Sequence, residues 1–244
     1  MTLILATDDT GGPEIFASVQ GEGPSAGVPV AFVRLSRCNL ACVWCDTPYT
    51  WHFKGDTRPH IGGTTYDRAA NQLTLDEAEV AKRIAALGQK RLVITGGEPL
   101  MQANALSAML AHLPDMSVEI ETNGTMAPGE ALDGWVSQYN VSPKLAGSGN
   151  AASLALKPAM LERWAADERA FFKFVITGDA DMAEVLGLQE TYGITASRIF
   201  LMPEGTDSAT LRAGLAQLVP LALEHGFRLS DRLHIHLFGD TRGT

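Results

Sequence analysis

All three cysteines of this chain fall within one stretch, Ser36 to Tyr49, which reads SRCNLACVWCDTPY. Cys38, Cys42 and Cys45 follow a Cys-x-x-x-Cys-x-x-Cys spacing. A cubane iron–sulfur cluster has four irons, and electron-carrying versions close all four with cysteine thiolates. Three thiolates in one tight loop leave the fourth iron for a group that is not protein. An open coordination position turns a metal centre from structural to catalytic, as it does for zinc. Two other readings of the same residues stand beside this one: small buried side chains, or a zinc site completed by His52 or His60. Every cysteine is confined to one short loop interleaved with Trp44, with Tyr49 just behind, and that favours a metal or cluster over scattered core packing.

Three further stretches carry residue types suited to binding. Gln20 to Pro29, QGEGPSAGVP, is dense in glycine and proline and reads first as a hairpin loop. Gln20 and Glu22 nevertheless sit among glycines whose missing side chains let a ligand approach the backbone. Arg34 interrupts an otherwise apolar V-A-F-V-x-L run, where a guanidinium needs a partner. A structural ion pair would satisfy it, and so would a planar carboxylate or heteroaromatic ligand. Gly96-Gly97-Glu98-Pro99 follows the apolar run RLVIT and, taken alone, is a tight turn after a strand.

The elements that must position these residues alternate. Glu14 to Val19 and Val30 to Ser36 read as strands, the second delivering the cysteines. Thr50 to Gln72 is polar with poor periodicity, an irregular insertion or lid. Thr74 with Glu77 reads as a capping box before a helix whose stripe is Val80, Ile84 and Leu87, stopped at Gly88. Arg91 to Thr95 is a short apolar strand of the parallel-sheet kind. Leu106, Leu110 and Leu113 give the next helix an apolar face that ends at Pro114. Strands are expected at Ser117 to Glu121, Trp135 to Ser142, Phe171 to Ile176 (carrying Lys173) and Ile199 to Met202. Helices are expected from Pro158 to about Asp167, after a cap at Asp179, and from about Asp207 to His225 with a kink at Pro220. Leu233 to Leu237 reads as a last strand before the polar tail GDTRGT. Strand, loop and helix repeated with right-handed crossovers predict a parallel sheet curling towards a barrel. In such folds chemistry lies on loops at the carboxyl ends of strands, where every polar motif above falls.

Bulk properties exclude some classes of function. The 244 residues can bury a sizeable core, and one domain over 1–244 is expected, with the insertion at about 50–72. A formal charge of −9 argues against gripping a phosphate backbone, so nucleic acid is not an expected partner. No apolar run is long enough to span a bilayer, and the start lacks the basic residues and cleavage pattern of a signal peptide. Thiols held ready for a cluster need a reducing compartment, so the cytoplasm is expected.

Cys-x-x-x-Cys-x-x-Cys after the first barrel strand and TGGEP after the second resemble the radical S-adenosylmethionine superfamily. That resemblance implies a partial (β/α)6 barrel, a 4Fe–4S cluster on Cys38, Cys42 and Cys45, and S-adenosyl-L-methionine chelating the fourth iron. EIFASVQGEG, CDT, TGGEPL, ETNGT, SPK, LMPEG and HIHLFGDTRG together resemble the 7-carboxy-7-deazaguanine synthase family over nearly the whole chain. The implied activity is that of a carbon–nitrogen lyase. It contracts the ring of 6-carboxy-5,6,7,8-tetrahydropterin to 7-carboxy-7-deazaguanine with loss of ammonia, in deazapurine biosynthesis of the queuosine type.

By resemblance, Val19, Gln20, Gly21, Glu22, Arg34, Thr95 and the tail residue Thr244 correspond to the pterin site. Trp44, Cys45, Asp46, Gly97, Glu98, Ser142, Pro143 and Lys144 correspond to the S-adenosylmethionine site, with Leu201, Met202, Pro203 and Glu204; Glu98 is expected near the ammonium. Thr47 resembles a ligand for Mg2+. Some relatives lengthen the first cysteine interval, whereas this chain carries its extra residues at Thr50 to Gln72. A flavodoxin- or ferredoxin-type reductant and a second copy of the chain, as a homodimer, are the expected protein partners. A glycyl-radical activating enzyme shares the cysteine spacing, but QGEG and the strand Arg34 count against it. From another class, a zinc or electron-transfer module is the alternative.

Overall fold

The computed structural model describes residues 1–244. In chain order the elements are β1 (Thr2–Ala6), β2 (Ile15–Val19), β3 (Pro29–Leu35), α1 (Arg68–Asn71), β4 (Gln72–Asp76), α2 (Glu77–Ala86), β5 (Arg91–Gly96), α3 (Ala103–Leu110) and β6 (Ser117–Thr122). They continue with α4 (Glu130–Asp133), β7 (Val136–Val141), α5 (Ala152–Ala155), α6 (Pro158–Ala166), β8 (Ala170–Ile176), α7 (Asp179–Tyr192), β9 (Ile199–Pro203), α8 (Ser208–His225), β10 (Arg228–Leu229) and α9 (Leu233–Phe238). No helix is long and apolar enough to cross a membrane.

One sheet runs β10-β9-β8-β7-β6-β5-β3-β1-β4, with β2 on the edge of β3. The stretch from β3 through β5, β6, β7, β8 and β9 is parallel, which makes the six-stranded partial barrel. β2, β1 and β4 add antiparallel pairings at one side. Strand alternation divides the residues between two faces. Val33, Leu35, Leu92, Ile94, Ile120, Tyr139, Phe172, Phe174 and Leu201 point outward into one apolar cluster with Leu106, Met109, Trp164, Val185 and Leu218 from the helices. The alternate positions point into the barrel, and they are where the polar residues lie.

The structure corrects several expectations. β1 and β4 are strands that the sequence pattern did not announce. Thr74 sits inside β4 opposite Ile4 rather than capping a helix. The cap of α2 is Asp76, whose carboxylate accepts from the Glu79 N–H at 2.9 Å. At the start of α7, Asp181 rather than Asp179 takes the free N–H groups of Thr177 and Gly178. α8 is the one long helix expected, with Pro220 inside it. Leu233 to Leu237 is helical, not a strand. The insertion keeps its irregular character, with a bridge between Phe53 and Tyr66 and the single turn of α1.

Candidate active site

Register decides which loops meet. Leu35, the last residue of β3, lies opposite Gly96, the last of β5, so the cysteine loop and the GGEP turn leave the sheet side by side. They touch through backbone: the Glu98 N–H donates to the Arg37 carbonyl at 2.9 Å. A Cβ on Gly97 would stand 2.0 Å from that same oxygen, so only glycine permits the approach. Arg37 itself has a φ of 79°, the one non-glycine residue in the left-handed region, which turns the chain from β3 into the cysteine loop. The loops above the carboxyl ends of the strands enclose a cavity of about 380 Å³.

Cys38, Cys42 and Cys45 all line this cavity as free thiols. Burial pushes their thiols up, Cys38 to about 12 and Cys45 to about 11. Neutral groups approach each sulfur: Asn123 Nδ2 at 3.9 Å from Cys38, Asn150 Nδ2 at 3.4 Å from Cys42, and Thr47 Oγ1 at 3.7 Å from Cys45. Neutral donors around three cavity-facing sulfurs suit thiolates that share their charge with iron. The histidines do not complete a zinc site. His60 Nδ1 accepts from the Gly62 N–H at 3.1 Å, so its Nε2 carries the proton given to the Cys45 carbonyl at 2.8 Å. His52 Nδ1 is bonded to the Thr64 carbonyl.

Below the cysteines, five of the parallel strands send polar side chains inward. Arg34 of β3, Thr95 of β5, Glu121 of β6, Asn140 of β7 and Lys173 of β8 all line the cavity. Thr95 Oγ1 donates to Glu121 at 2.8 Å. Arg34 Nε donates to the buried Glu14 at 2.7 Å, while its two terminal nitrogens make no hydrogen bond within the protein. Gln20 Nε2 donates to Glu119 at 2.7 Å and to Glu121 at 3.1 Å. Glu22 pairs with Lys173 and, at 3.0 Å, with Arg232 Nε. Burial alone would raise the Glu22 carboxyl, but Lys173, Arg232 and His234 outweigh it and hold it well below the usual carboxylate range. Arg232 also pairs with Asp46 and donates to the Gly205 carbonyl at 2.7 Å, so one guanidinium ties together three loops around the cavity.

Comparison with known proteins agrees with this arrangement. Residues 33–138 match the family model of the radical SAM superfamily. A 7-carboxy-7-deazaguanine synthase of Pyrobaculum aerophilum is 37% identical over 232 residues, covering 94% of this chain and 95% of that protein. One of Halobacterium salinarum is 34% identical, covering 95% and 91%. This chain belongs to the 7-carboxy-7-deazaguanine synthase family. The crystal structure of QueE from Escherichia coli superposes with a TM-score of 0.62 at 25% identity, covering 96% of this chain and 95% of that one. Membership in this family sets aside the glycyl-radical activating enzyme and the zinc module.

Of the residues that the family resemblance singles out, Val19, Gln20, Gly21, Glu22, Arg34 and Thr95 line the cavity on one side. Trp44, Asp46, Thr47, Gly97, Ser142, Lys144 and Met202 line it with the cysteines, and Thr244 reaches its rim. Five do not line it. Glu98 is fully buried, and its carboxylate accepts from the Leu100 and Asn123 N–H groups and the Thr122 hydroxyl at 2.8–2.9 Å. It holds the turn rather than facing a ligand ammonium. Leu201 points into the core because Met202 takes the inward position on β9. Pro203 packs against Gly214 of α8, where an added Cβ would meet it at 2.5 Å. Pro143 and Glu204 lie outside the wall.

Sequence reasoning missed Glu121, Asn140, Arg232 and His234, and gave Lys173 no role. A signal was available for two of them: Glu121 in SVEIET and Lys173 in FFKFVI interrupt apolar strands just as Arg34 does. Arg232 and His234 had none, since their partners are about two hundred residues away in sequence.

Proposed function

We propose that this chain converts 6-carboxy-5,6,7,8-tetrahydropterin to 7-carboxy-7-deazaguanine by radical-mediated ring contraction with loss of ammonia, in queuosine-type deazapurine biosynthesis. The observation that carries the reading is one cavity joining the three-cysteine loop to the Gln20–Glu22 loop, Arg34 and Thr95. It occurs in a chain similar over nearly its whole length to synthases of that name. The cofactors of the superfamily are a 4Fe–4S cluster and S-adenosylmethionine. Held by Cys38, Cys42 and Cys45 at the cavity wall, they would supply radical hydrogen-atom abstraction chemistry to a substrate in that cavity.

Everything else is positioning, which is the protein's share in a cofactor enzyme. Cys38, Cys42 and Cys45 hold the cluster. Gly97 lets the methionine end approach the backbone, and Lys144, bonded to Ser142 at 2.8 Å and lying over the Trp44 ring, offers a cation to a carboxylate. Asp46 and Met202 complete that wall. On the pterin side, Glu22 is kept ionised by two cations and accepts from ring N–H groups. Arg34, held at Nε by Glu14, keeps its terminal nitrogens for a bidentate grip on the substrate carboxylate. His234 is lowered by burial, so it stays a neutral imidazole at neutral pH.

Thr47 is our candidate for the Mg2+ ligand. It lines the cavity between Asp46 and the insertion, and magnesium needs only one or two protein oxygens when waters and a substrate carboxylate supply the rest. The chain is proposed to act in the cytoplasm, as three free thiols require, and to draw electrons from a flavodoxin- or ferredoxin-type protein. One apolar cluster from Leu3 to Phe227 supports a single domain. Val219 and Leu223, exposed one turn apart on α8, support a homodimer, which light scattering of the purified protein tests. Anaerobic incubation with S-adenosylmethionine, reductant and carboxytetrahydropterin, followed by mass spectrometry, tests the reaction. Recovery of unchanged pterin from iron-loaded protein sinks it.

A further inference from the structure

We propose that Asn150 is a positioning residue for the iron–sulfur group, donating an amide N–H to the Cys42 sulfur and raising the potential at which the cluster takes up its electron. The inference rests on the reading that Cys38, Cys42 and Cys45 hold that cluster.

The geometry begins with the direction of the amide. Asn150 Oδ1 accepts from the backbone N–H of Ala41 at 2.9 Å. A backbone N–H can only donate, so the oxygen must face it and the NH2 must face the other way. That NH2 lies 3.4 Å from Cys42 Sγ, with Ser148 Oγ at 3.1 Å as its second acceptor. One N–H for each acceptor uses the group fully.

The loop carrying Asn150 is fastened to the cysteine loop independently of the sulfur. The Val43 N–H donates to the Ser148 carbonyl at 2.9 Å. Gly149 adopts a φ of 76°, and a Cβ there would meet Val43 at 2.7 Å. Ala41 and Val43, the residues on either side of Cys42, thus hold this loop and its amide against the sulfur. Taken as whole residues, Cys42 is buried and the other two cysteines are half-buried.

The other two sulfurs have different donors, the Leu40 backbone N–H among those at Cys38. Asn123 Nδ2 stands 3.9 Å from Cys38, and its other N–H goes to Asn39 Oδ1 at 2.8 Å. Cys45 has the Thr47 hydroxyl at 3.7 Å, and the Trp51 indole and the Thr47 backbone N–H also donate to it. At 3.4 Å the Asn150 amide stands closer to its sulfur than the Asn123 amide or the Thr47 hydroxyl stands to the other two.

The electrical consequence follows from charge. One electron enters the cluster from an external one-electron reductant; no bond forms or breaks at Asn150, and no proton leaves it. The added negative charge spreads onto the thiolate sulfurs, so an N–H···S bond is stronger in the reduced state than in the oxidised one. A donor that favours the reduced state raises the potential, which hydrogen bonds to cluster sulfurs are known to tune.

Potentiometric titration followed by electron paramagnetic resonance of the anaerobically reconstituted holoenzyme tests this. Asn150→Asp keeps an acceptor for Ala41 but replaces the donor with an anion. It is expected to move the midpoint furthest to negative potential, with iron content equal to that of the unaltered protein. Asn150→Ala is expected to shift it in the same direction by less, and Asn123→Ala by less again. Midpoints of Asn150→Asp and Asn150→Ala that coincide with the unaltered protein at full iron content overturn the proposal. Loss of iron from both variants also overturns it, because the side chain would then hold the loop rather than tune the cluster. An unaltered protein that takes up no iron fails earlier, at the reading on which the proposal rests.

Discussion

The Nε of Arg34 lies 2.7 Å from Glu14 Oε1, and the Tyr49 hydroxyl donates to the same carboxylate at 3.0 Å. Glu14 is fully buried, so the guanidinium is anchored at one edge while its other edge faces the cavity. Lysine offers a point charge and cannot hold both edges at once. Arg34→Lys is expected to lower kcat/KM for the pterin about 10- to 100-fold, the worth of one charge-assisted hydrogen bond at about 1.5–3 kcal/mol. Calorimetric affinity for S-adenosylmethionine should stay as it was. Kinetics indistinguishable from the unaltered protein remove Arg34 from the substrate site.

The cysteines make a compositional prediction. Replacing Cys38, Cys42 or Cys45 singly by Ala should abolish the 4Fe–4S signal after anaerobic reconstitution, read by iron assay and electron paramagnetic resonance. Stoichiometric zinc with no iron in the unaltered protein decides against the cluster.

Glu22 gives a dependence on pH. Its folded carboxyl is lowered from the ordinary 4.5: burial pushes it up, but Lys173 and Arg232 pull it down further. A lowered carboxyl contributes stability that is fully present above about pH 4.5 and is lost as pH falls towards the folded value. Glu22→Gln leaves the buried Lys173 without its ion-pair partner and Arg232 with Asp46 alone, and should cost about 3–5 kcal/mol at pH 7. Its stability should then fall less steeply with acid than that of the unaltered protein. Urea unfolding at about pH 7, 5 and 3, read by tryptophan fluorescence, gives both slopes, and parallel slopes refute the assignment.

Gly21 lies against His234 on the side of the cavity proposed for the pterin. A Cβ there would stand 2.1 Å from His234 Nδ1, so Gly21→Ala must displace the imidazole. The expected result is weakened pterin binding with S-adenosylmethionine binding retained. Equal loss of both ligands would mean the whole cavity had shifted.

Thr47 tests the metal. With metal-free enzyme, activity should depend on added magnesium, and Thr47→Ala should lose most of that dependence. Equal rates with and without a chelator leave Thr47 as a turn residue.

Much of this fold could be read before the structure, because parallel strands buried on both sides announce themselves as apolar runs. RLVIT and FFKFVI are such runs. The antiparallel side was harder. QLTLD is short and only partly buried, and its Thr74, three residues before Glu77, imitates a cap that Asp76 in fact provides. LHIHLF alternates polar and apolar residues, and over six positions periodicity cannot separate strand from helix. His234 and His236 point to different partners, the Gly21 loop and Ser208, and those contacts make the segment a helical turn. Within the site, residues adjacent to a motif were found and residues brought in by long-range pairing were not. Glu98 is a motif residue whose carboxylate accepts three hydrogen bonds from the turn and its neighbour, which the motif alone does not announce.

The bond between Asp46 and Arg232 spans 186 positions of sequence. On a ribosome adding about 5–20 residues per second, roughly ten to forty seconds separate the two. Throughout that interval the cysteine loop is already synthesised, while the guanidinium that fastens it to the Glu22 loop does not yet exist. An iron–sulfur group delivered to the nascent chain meets an unlatched loop. One delivered after release must enter past a latch already closed.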